Sequence, residues 1–205
     1  RHPHARPLRA AYQRLLLCAQ AGALATETKL EVNYQGGVRE IQPNNALAEI
    51  TMANLKSLNR LSYTADELQF ATRLQESFEK RESLDSIRTV TDRSGTIGKG
   101  STDVGDVSWK VPTTGFTTAC WVPGTTAHSW QAVACGGTSI AHNGMTLAAR
   151  VLAATAWDLY TSPHTLARAK AEQREKLGRE KYETLMEPGQ KPPLDYRKSS
   201  HAVSD

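Results

Sequence analysis

The spacing of hydrophobic positions predicts a helix and then a strand at the start of the chain. Apolar residues recur in steps of three and four over residues 7–25, which places them on one face of a helix. Residues 29–34 then alternate apolar and polar side chains, the pattern of a half-buried strand. The two glycines at 36 and 37 end this strand.

Two amphipathic helices are predicted after a junction at Pro43. Asn44 or Asn45 can accept a hydrogen bond from a free backbone N–H and so begin the first helix. Thr64 and Glu67 have the spacing of a capping box, which predicts the start of the second helix.

The middle of the chain predicts strands. Residues 107–111 form a short candidate, and residues 113–122 are rich in Thr, Phe, Cys and Trp on both faces, which is typical of a strand covered on both sides. Ser139 can then cap a long Ala-rich helix, which we expect to be buried because it is apolar on most sides. Ser162 followed by Pro163 predicts the start of a further helix, with Ser at the cap and Pro at the first helical position. Residues 166–185 are charged and predict a solvent-exposed helix.

These elements predict the α/β fold class, with helices packed on buried strands. The composition changes near Pro43, so we expect a short piece of one domain followed by part of a second. Residues 187–205 are rich in Pro, Lys, Ser and Asp, and we expect a polar tail with little structure there.

Composition narrows the function classes. No stripe of Lys and Arg alternates with aromatic residues, which argues against binding to nucleic acid. The net charge is +4, and this mild excess of positive charge suits an anionic substrate. No stretch approaches the length of a membrane span. Three cysteines without a CxxC pair argue against a disulfide framework and a structural zinc site, so the cytoplasm is the expected compartment. The absence of an initial Met or signal core indicates processing or truncation.

Two segments carry candidate chemistry. His128 follows a predicted strand and a Pro-Gly turn, where an imidazole can bind zinc, act as an acid or base, or simply be a satisfied surface or core side chain. The Gly-containing loop over residues 98–106 could bind an anion through its backbone N–H groups. Asp103 and Asp106 could bind a metal or orient a ligand. The alternative is that the loop is a polar turn. Trp109, Trp121 and Trp130 flank these segments and could wall an aromatic pocket.

The set of metal ligands is incomplete. A catalytic zinc needs about three protein ligands, yet the sequence has no HxxE or HExxH pair, and His128 has no second ligand near it. The HxH spacing at His2-Pro3-His4 lies in the polar N-terminal segment, where we expect both imidazoles to be solvated. No GxSxG elbow and no Walker loop is present either.

Two strings resemble a known family. Residues 100–109 (GSTDVGDVSW) and 124–131 (GTTAHSWQ), followed by a long Ala-rich helix, resemble the C-terminal half of the zinc aminoacylase/carboxypeptidase metallopeptidases. Within that family the likeness is to the p-aminobenzoyl-glutamate hydrolases, and it covers nearly the whole chain.

The resemblance implies a two-domain amidohydrolase that cleaves N-acyl amino acids such as p-aminobenzoyl-glutamate. Its α/β catalytic domain, a mixed sheet flanked by helices, would hold two divalent metals, zinc with manganese as the alternative. Residues 1–43 would be the last helix and strand of an α+β lid or dimerisation domain. Residues 44–165 would be the C-terminal half of the catalytic domain, and residues 166–205 the charged helix and polar tail.

The resemblance also assigns residues. His128 matches the family's last metal ligand. Ser101 and Thr102, with the neighbouring Asp103, match a loop of the family that faces the substrate. Lys99 could bind a carboxylate of the substrate. We add Trp130 to the expected substrate contacts as an aromatic side chain that lines the pocket. The general-base Glu and the remaining ligands are expected upstream, so the chain alone should be inactive.

The implied partners are a small amide substrate and either a second copy of the full-length protein or an upstream segment. Two alternatives stay open. One is a non-catalytic structural or dimerisation fragment, a degenerate remnant of a hydrolase. The other is a binding module for small aromatic anions built on the tryptophans. An exposed half-domain is also expected to self-associate.

Overall fold

The computed structural model describes residues 2–98, 100–191 and 194. Helices provide nearly all the regular secondary structure of these residues. They are α1 Ala5–Ala25, α2 Asn45–Leu58, α3 Ala65–Gln75, a 3-10 helix Leu84–Arg88, α4 Val104–Ser108, α5 Trp130–Gly136, α6 Ser139–Thr161 and α7 Pro163–Leu177.

The α/β prediction, with a mixed sheet flanked by helices, is wrong for the described residues. Their β-structure is an isolated parallel bridge between Pro43 and Thr113. Residues 29–34 and 113–122 form no strand, and α4 occupies part of 107–111. Alternation identifies the face that a strand would bury, but a strand also needs a neighbour for its backbone hydrogen bonds. The described residues supply no such neighbour, so these segments form no β-ladder.

The helix starts that the sequence predicts are confirmed where local capping decides them. The Asn44 side chain accepts a hydrogen bond from the Leu47 backbone nitrogen at 3.0 Å and caps α2. Thr64 and Glu67 form both bonds of the capping box on α3. Pro163 lies in the first turn of α7, where its missing N–H costs nothing.

The chain divides into two compact units. One contains the described residues of 1–41, 99–107 and 181–205, and the other those of 42–98 and 108–180. The domain boundaries suggested by the resemblance, at residues 43 and 165, stay a prediction.

In the first unit, α1 has no fully buried residue. Side chains of α1 instead contact other segments of the unit. The Tyr12 and Tyr34 rings lie 5.6 Å apart, and Arg9 pairs with Glu183 at 3.2 Å. The Tyr34 hydroxyl donates to the Leu185 carbonyl oxygen at 2.6 Å. No helix among the described residues has the length and apolar character needed to cross a membrane.

In the second unit, buried side chains join the helices in three clusters. One joins α3, α5 and α6, a second joins α2 to α6, and a third joins α2 to α7. Their fully buried members are Ala71, Leu74, Val122, Cys135 and Ile140; Leu55, Leu147 and Val151; and Ala46, Leu47 and Ala169. The core of this unit therefore consists of helix–helix contacts.

Two expectations about the C-terminal helices need correction. α6 is not buried on most sides: among the described residues, Leu147 and Val151 are buried, whereas Leu152, Trp157 and Tyr160 are exposed. Its cap position is Thr138, and Ser139 is the first helical residue. α7 ends at Leu177 and not near residue 185, because Gly178 follows with φ of +54°, and Ala169 on α7 is buried.

Candidate functional site

His128 lies in a turn that is fixed at both ends. At its start Val122 is buried, and its carbonyl oxygen accepts bonds from the Thr125 nitrogen at 3.1 Å and from the Thr125 hydroxyl at 2.6 Å. Gly124 has a φ of +90°, and a side chain there would come within 3.0 Å of the Lys80 carbonyl oxygen. Only glycine fits this position without strain.

The other end of the turn is the start of α5. The Ser129 side chain accepts a hydrogen bond from the Ala132 nitrogen at 3.2 Å and donates to the Thr126 carbonyl oxygen at 2.6 Å. His128 stands immediately before this cap, and its side chain is exposed. The imidazole is therefore presented to solvent from a backbone that both neighbours hold.

His128 also has an unusual backbone conformation. Its φ is +60°, one of two positive values among the non-glycine residues that the structure describes, the other being at Glu27. This left-handed region costs an L-residue on the order of 1 kcal/mol, and residues held there are enriched at functional sites. Nothing in the sequence pattern around the imidazole signals this conformation.

Trp130 is the first residue of α5 and its ring is largely exposed. Trp121 is also exposed, whereas Trp109 is buried. The three tryptophans thus differ in access to solvent, and Trp130 is the one that lies two residues from His128. The idea that all three wall one aromatic pocket stays a prediction.

The second candidate segment, the loop before α4, leaves its polar side chains open to solvent. Ser101, Thr102 and Asp103 are all exposed. The Thr102 hydroxyl accepts a bond from the Val104 nitrogen at 3.3 Å, and the Asp103 carbonyl oxygen accepts one from the Asp106 nitrogen at 3.0 Å. These bonds begin the short helix α4. Lys99, the predicted carboxylate contact, lies outside the described residues.

Asp106 has a structural role in its unit. Its carboxylate accepts hydrogen bonds from the Arg39 nitrogen at 3.3 Å and from the Tyr182 hydroxyl at 3.0 Å. A Cβ at the neighbouring Gly105 would overlap the carbonyl oxygen of Arg39. The Gly-Asp pair therefore joins three distant segments of the chain, which is a different use from the metal or ligand contact considered for Asp106 above.

The predicted site residues divide between the two units. Ser101, Thr102 and Asp103 belong to the first, and His128 and Trp130 to the second. Within the part of the chain that the structure describes, no group of three His, Cys, Asp or Glu residues is placed to hold a metal ion. His128 offers one nitrogen donor, and a catalytic zinc takes about three protein ligands. The described residues therefore do not fit a complete metal centre.

Glu67 is a buried carboxylate with contacts that the sequence pattern does not predict. Glu67 completes its capping box, but it also accepts hydrogen bonds from the Ser139 hydroxyl at 2.5 Å and the Asn143 amide at 3.3 Å. The Ser139 bond and the Thr64 backbone bond hold the pKa of Glu67 below its ordinary value of 4.5. A capping box is a local signal, and nothing local shows that its Glu also binds α6.

Tyr63 is a second group that the sequence does not single out. Its hydroxyl is buried and has no hydrogen-bond partner among the described residues. Burial, followed by the nearby Cys135 and Glu67, raises the pKa of Tyr63 to about 12. The ring lines a cavity of about 220 Å³ together with Leu68, Leu84, Asp85, Ile87 and Arg88.

Comparison with known proteins identifies a relative of this chain. The chain is 30% identical over 187 residues to a p-aminobenzoyl-glutamate hydrolase subunit from Escherichia coli (strain K12). This chain is a relative of an amidohydrolase subunit. The match covers 78% of the chain and 39% of the relative, so the chain spans less than half of the relative's length. No family model and no solved structure matches the chain.

The match confirms the resemblance to a p-aminobenzoyl-glutamate hydrolase at the level of relatedness. The metal ions, the role of His128 and the substrate loop stay predictions, because they concern a whole enzyme of which the match covers a part. The relative's name describes it as a subunit.

Proposed function

We propose that this chain is part of a metal-dependent amidohydrolase that cleaves the amide bond of N-acyl amino acids such as p-aminobenzoyl-glutamate. The observation that carries the proposal is the 30% identity to the Escherichia coli hydrolase subunit over 78% of the chain. A similarity over 78% of the chain supports common descent of the matched segment and not of a single motif.

The chain works only together with other parts of the enzyme. The described residues offer no three-ligand cluster for a metal ion, and the match leaves more than half of the relative outside this chain. The general-base Glu and the other ligands of two zinc or manganese ions belong to that remainder. The chain alone is then inactive, and the enzyme is assembled either within one longer polypeptide or from two chains.

His128 is the residue of this chain that we assign to the metal. An exposed imidazole on a firmly held turn meets the geometric needs of a ligand, because its backbone is positioned before the ion binds. Its left-handed backbone adds support, since such conformations persist where the surrounding structure over-determines them.

The substrate contacts follow from the chemistry of the remaining assigned residues. Trp130 offers an exposed ring for stacking on an aromatic acyl group. Lys99 is assigned to a substrate carboxylate, and the exposed hydroxyls of Ser101 and Thr102, with Asp103, to its polar groups. An N-acyl glutamate has both an aromatic and an anionic end, so it suits these groups.

The proposed assembly includes a second copy of the complete protein or the missing partner segment. We further propose a cytoplasmic location, because Cys18, Cys120 and Cys135 are all free thiols. A second candidate function is a non-catalytic structural or dimerisation fragment. The absence of a three-ligand cluster among the described residues favours this alternative as much as it favours an incomplete enzyme.

The test is p-aminobenzoyl-glutamate hydrolysis and bound zinc in the full-length gene product, with His128→Asn as the variant. Asn tolerates left-handed backbone, so the variant removes the imidazole and keeps the turn. We expect wild type to hydrolyse the amide, and the variant to lose metal and at least roughly 100-fold in kcat/KM. A folded full-length product without any hydrolysis would favour the structural fragment.

A further inference from the structure

The long helix α6 packs closely on one side. Leu147 and Val151 of this face join the cluster around Leu55 of α2. At Gly144 the approach is so close that a side chain would lie 2.7 Å from the Ala119 carbonyl oxygen. This face packs α6 against its unit.

The opposite face of α6 is apolar and open to solvent. At 3.6 residues per turn, Met145, Leu152, Ala156 and Tyr160 fall on one side of the helix, with Trp157 at its edge. We call these five residues the α6 stripe. The exposed fractions are 60% for Met145 and Leu152, 69% for Trp157 and 88% for Tyr160. A surface helix normally carries polar residues at such positions.

The α6 stripe is larger than a solvated surface needs. Trp157 and Tyr160 together expose on the order of 300 Å², because an aromatic side chain carries roughly 150–250 Å². The largest apolar patch of a typical monomer is about 300–600 Å² and is often functional. The stripe contains no charged residue. These properties fit an apolar polypeptide surface and do not fit nucleic acid or a charged ligand.

We infer that the α6 stripe is the docking surface for the part of the amidohydrolase that lies outside this chain, an inference that rests on the proposed function. More than half of the relative's length falls outside the match, so a segment large enough to cover the stripe exists in the relative. The stripe belongs to the same unit as His128, and α5 and α6 share a core cluster through Cys135 and Ile140.

The same docking event accounts for two features of the chain. A segment bound on α6 covers the apolar stripe. It also brings further residues to the unit of His128, and within the described residues His128 has no companion ligands for a metal. A second copy of this chain would cover the stripe but would add only another His128. For this reason the occupant is the remainder of the hydrolase.

The experiment is hydroxyl-radical footprinting of this 205-residue chain and of the full-length gene product, each at several concentrations. Met145, Trp157 and Tyr160 report on the stripe. Leu68, an exposed apolar residue on α3, serves as the reference. We expect oxidation of the three stripe residues, relative to Leu68, to be at least fivefold slower in the full-length product.

Equal oxidation in the two samples, or a gene that encodes no further segment, would overturn the inference. Protection in the 205-residue chain that rises with its concentration would also overturn it, because the occupant would then be a second copy. Hydrolysis of p-aminobenzoyl-glutamate is measured on the same full-length sample. A protected stripe without hydrolysis refutes the proposed function and leaves the docking surface standing.

A pair of variants in the full-length product adds an independent readout. The double variant W157S/Y160S changes only exposed side chains, so α6 keeps its buried face. We expect at least a fivefold loss of active enzyme in this variant and no loss in the matched control L68S. If the wild-type product hydrolyses the amide, equal activity in the two variants would contradict the inference.

Discussion

The Glu172 carboxylate on α7 accepts a hydrogen bond from the Asn45 backbone nitrogen at 2.8 Å, and a second from Ala46 at 2.8 Å. These two N–H groups lie in the first turn of α2, where no helical carbonyl can satisfy them. Lys176 binds the same carboxylate at 2.7 Å. One helix thus caps another across 127 residues of sequence.

Replacing Glu172 by Gln tests this contact. The amide keeps the shape but loses the charge and one acceptor oxygen, so an N–H of α2 loses its partner. We expect the free energy of unfolding to fall by about 1–2 kcal/mol, measured by urea denaturation. The matched control is Glu175→Gln, an exposed carboxylate on the same helix, and it should change stability little. Equal losses in both variants would contradict the capping role.

Glu67 connects α3 to α6 through Ser139. We expect Glu67→Gln to cost about 2 kcal/mol, because a hydrogen bond to a charged group contributes about 1.5–3 kcal/mol. A double-mutant cycle with Ser139→Ala isolates the pair. The cycle should give a coupling energy of about 1 kcal/mol, and additive losses would show that the two side chains act independently.

The same carboxylates predict how stability depends on pH. The pKa of Glu67 is lowered in the folded state by the Ser139 and Thr64 bonds. Burial would raise the pKa of Glu172, but hydrogen bonds from Lys176, Asn45 and Ala46 outweigh it and lower that pKa too. Stability from a lowered carboxyl pKa is fully present above the ordinary value of 4.5 and is lost as pH falls through the folded value.

We therefore expect the free energy of unfolding to decrease below about pH 4.5, as measured by urea denaturation at successive pH values. The decrease should be shallower in Glu67→Gln, because a neutral side chain has no proton to gain. An identical slope in wild type and variant would show that other groups determine the acid transition.

Tyr63 offers a stabilising substitution. Its buried hydroxyl has no partner among the described residues, and an unsatisfied buried polar group costs about 1–3 kcal/mol. Tyr63→Phe removes the hydroxyl and keeps the ring. We expect the free energy of unfolding to rise by about 1 kcal/mol, measured by urea denaturation. A loss of stability instead would mean that the hydroxyl is hydrogen-bonded in solution.

The backbone of His128 predicts an unusual order of substitutions. Glycine adopts a φ of +60° without strain, whereas a β-branched residue there is a genuine outlier. His128→Gly should change stability by less than about 0.5 kcal/mol, and His128→Val should cost about 1–2 kcal/mol. Thermal melting of the two variants checks this order. A Val variant as stable as the Gly variant would mean that residue 128 is not held in the left-handed region.

The sequence predicted the starts of helices well because capping is local. Asn44 and the Thr64–Glu67 box act on backbone groups within three residues, so their spacing alone identifies them. It failed for the strands because pairing is not local. The alternation in residues 29–34 was real, but the partner that a ladder requires lies nowhere in the described residues.

The burial of α6 could not be predicted for a related reason. Apolar composition shows that a side chain can be buried, and only its neighbours decide whether it is. Trp157 and Leu147 are both apolar, yet the first is exposed and the second is buried against α2. At the candidate site, chain position pointed to His128, while its left-handed backbone and the structural bonds of Asp106 became visible only in three dimensions.

The most direct test of the central claim is reconstitution of amide hydrolysis. This chain, the remaining segment of the gene product, and their mixture are each assayed with p-aminobenzoyl-glutamate and zinc, and bound metal is quantified. We predict hydrolysis and tightly bound zinc in the mixture and neither in the separate chains. Hydrolysis by this chain alone would contradict the proposal that the metal centre needs ligands from the remaining segment, because the described residues contain no three-ligand cluster.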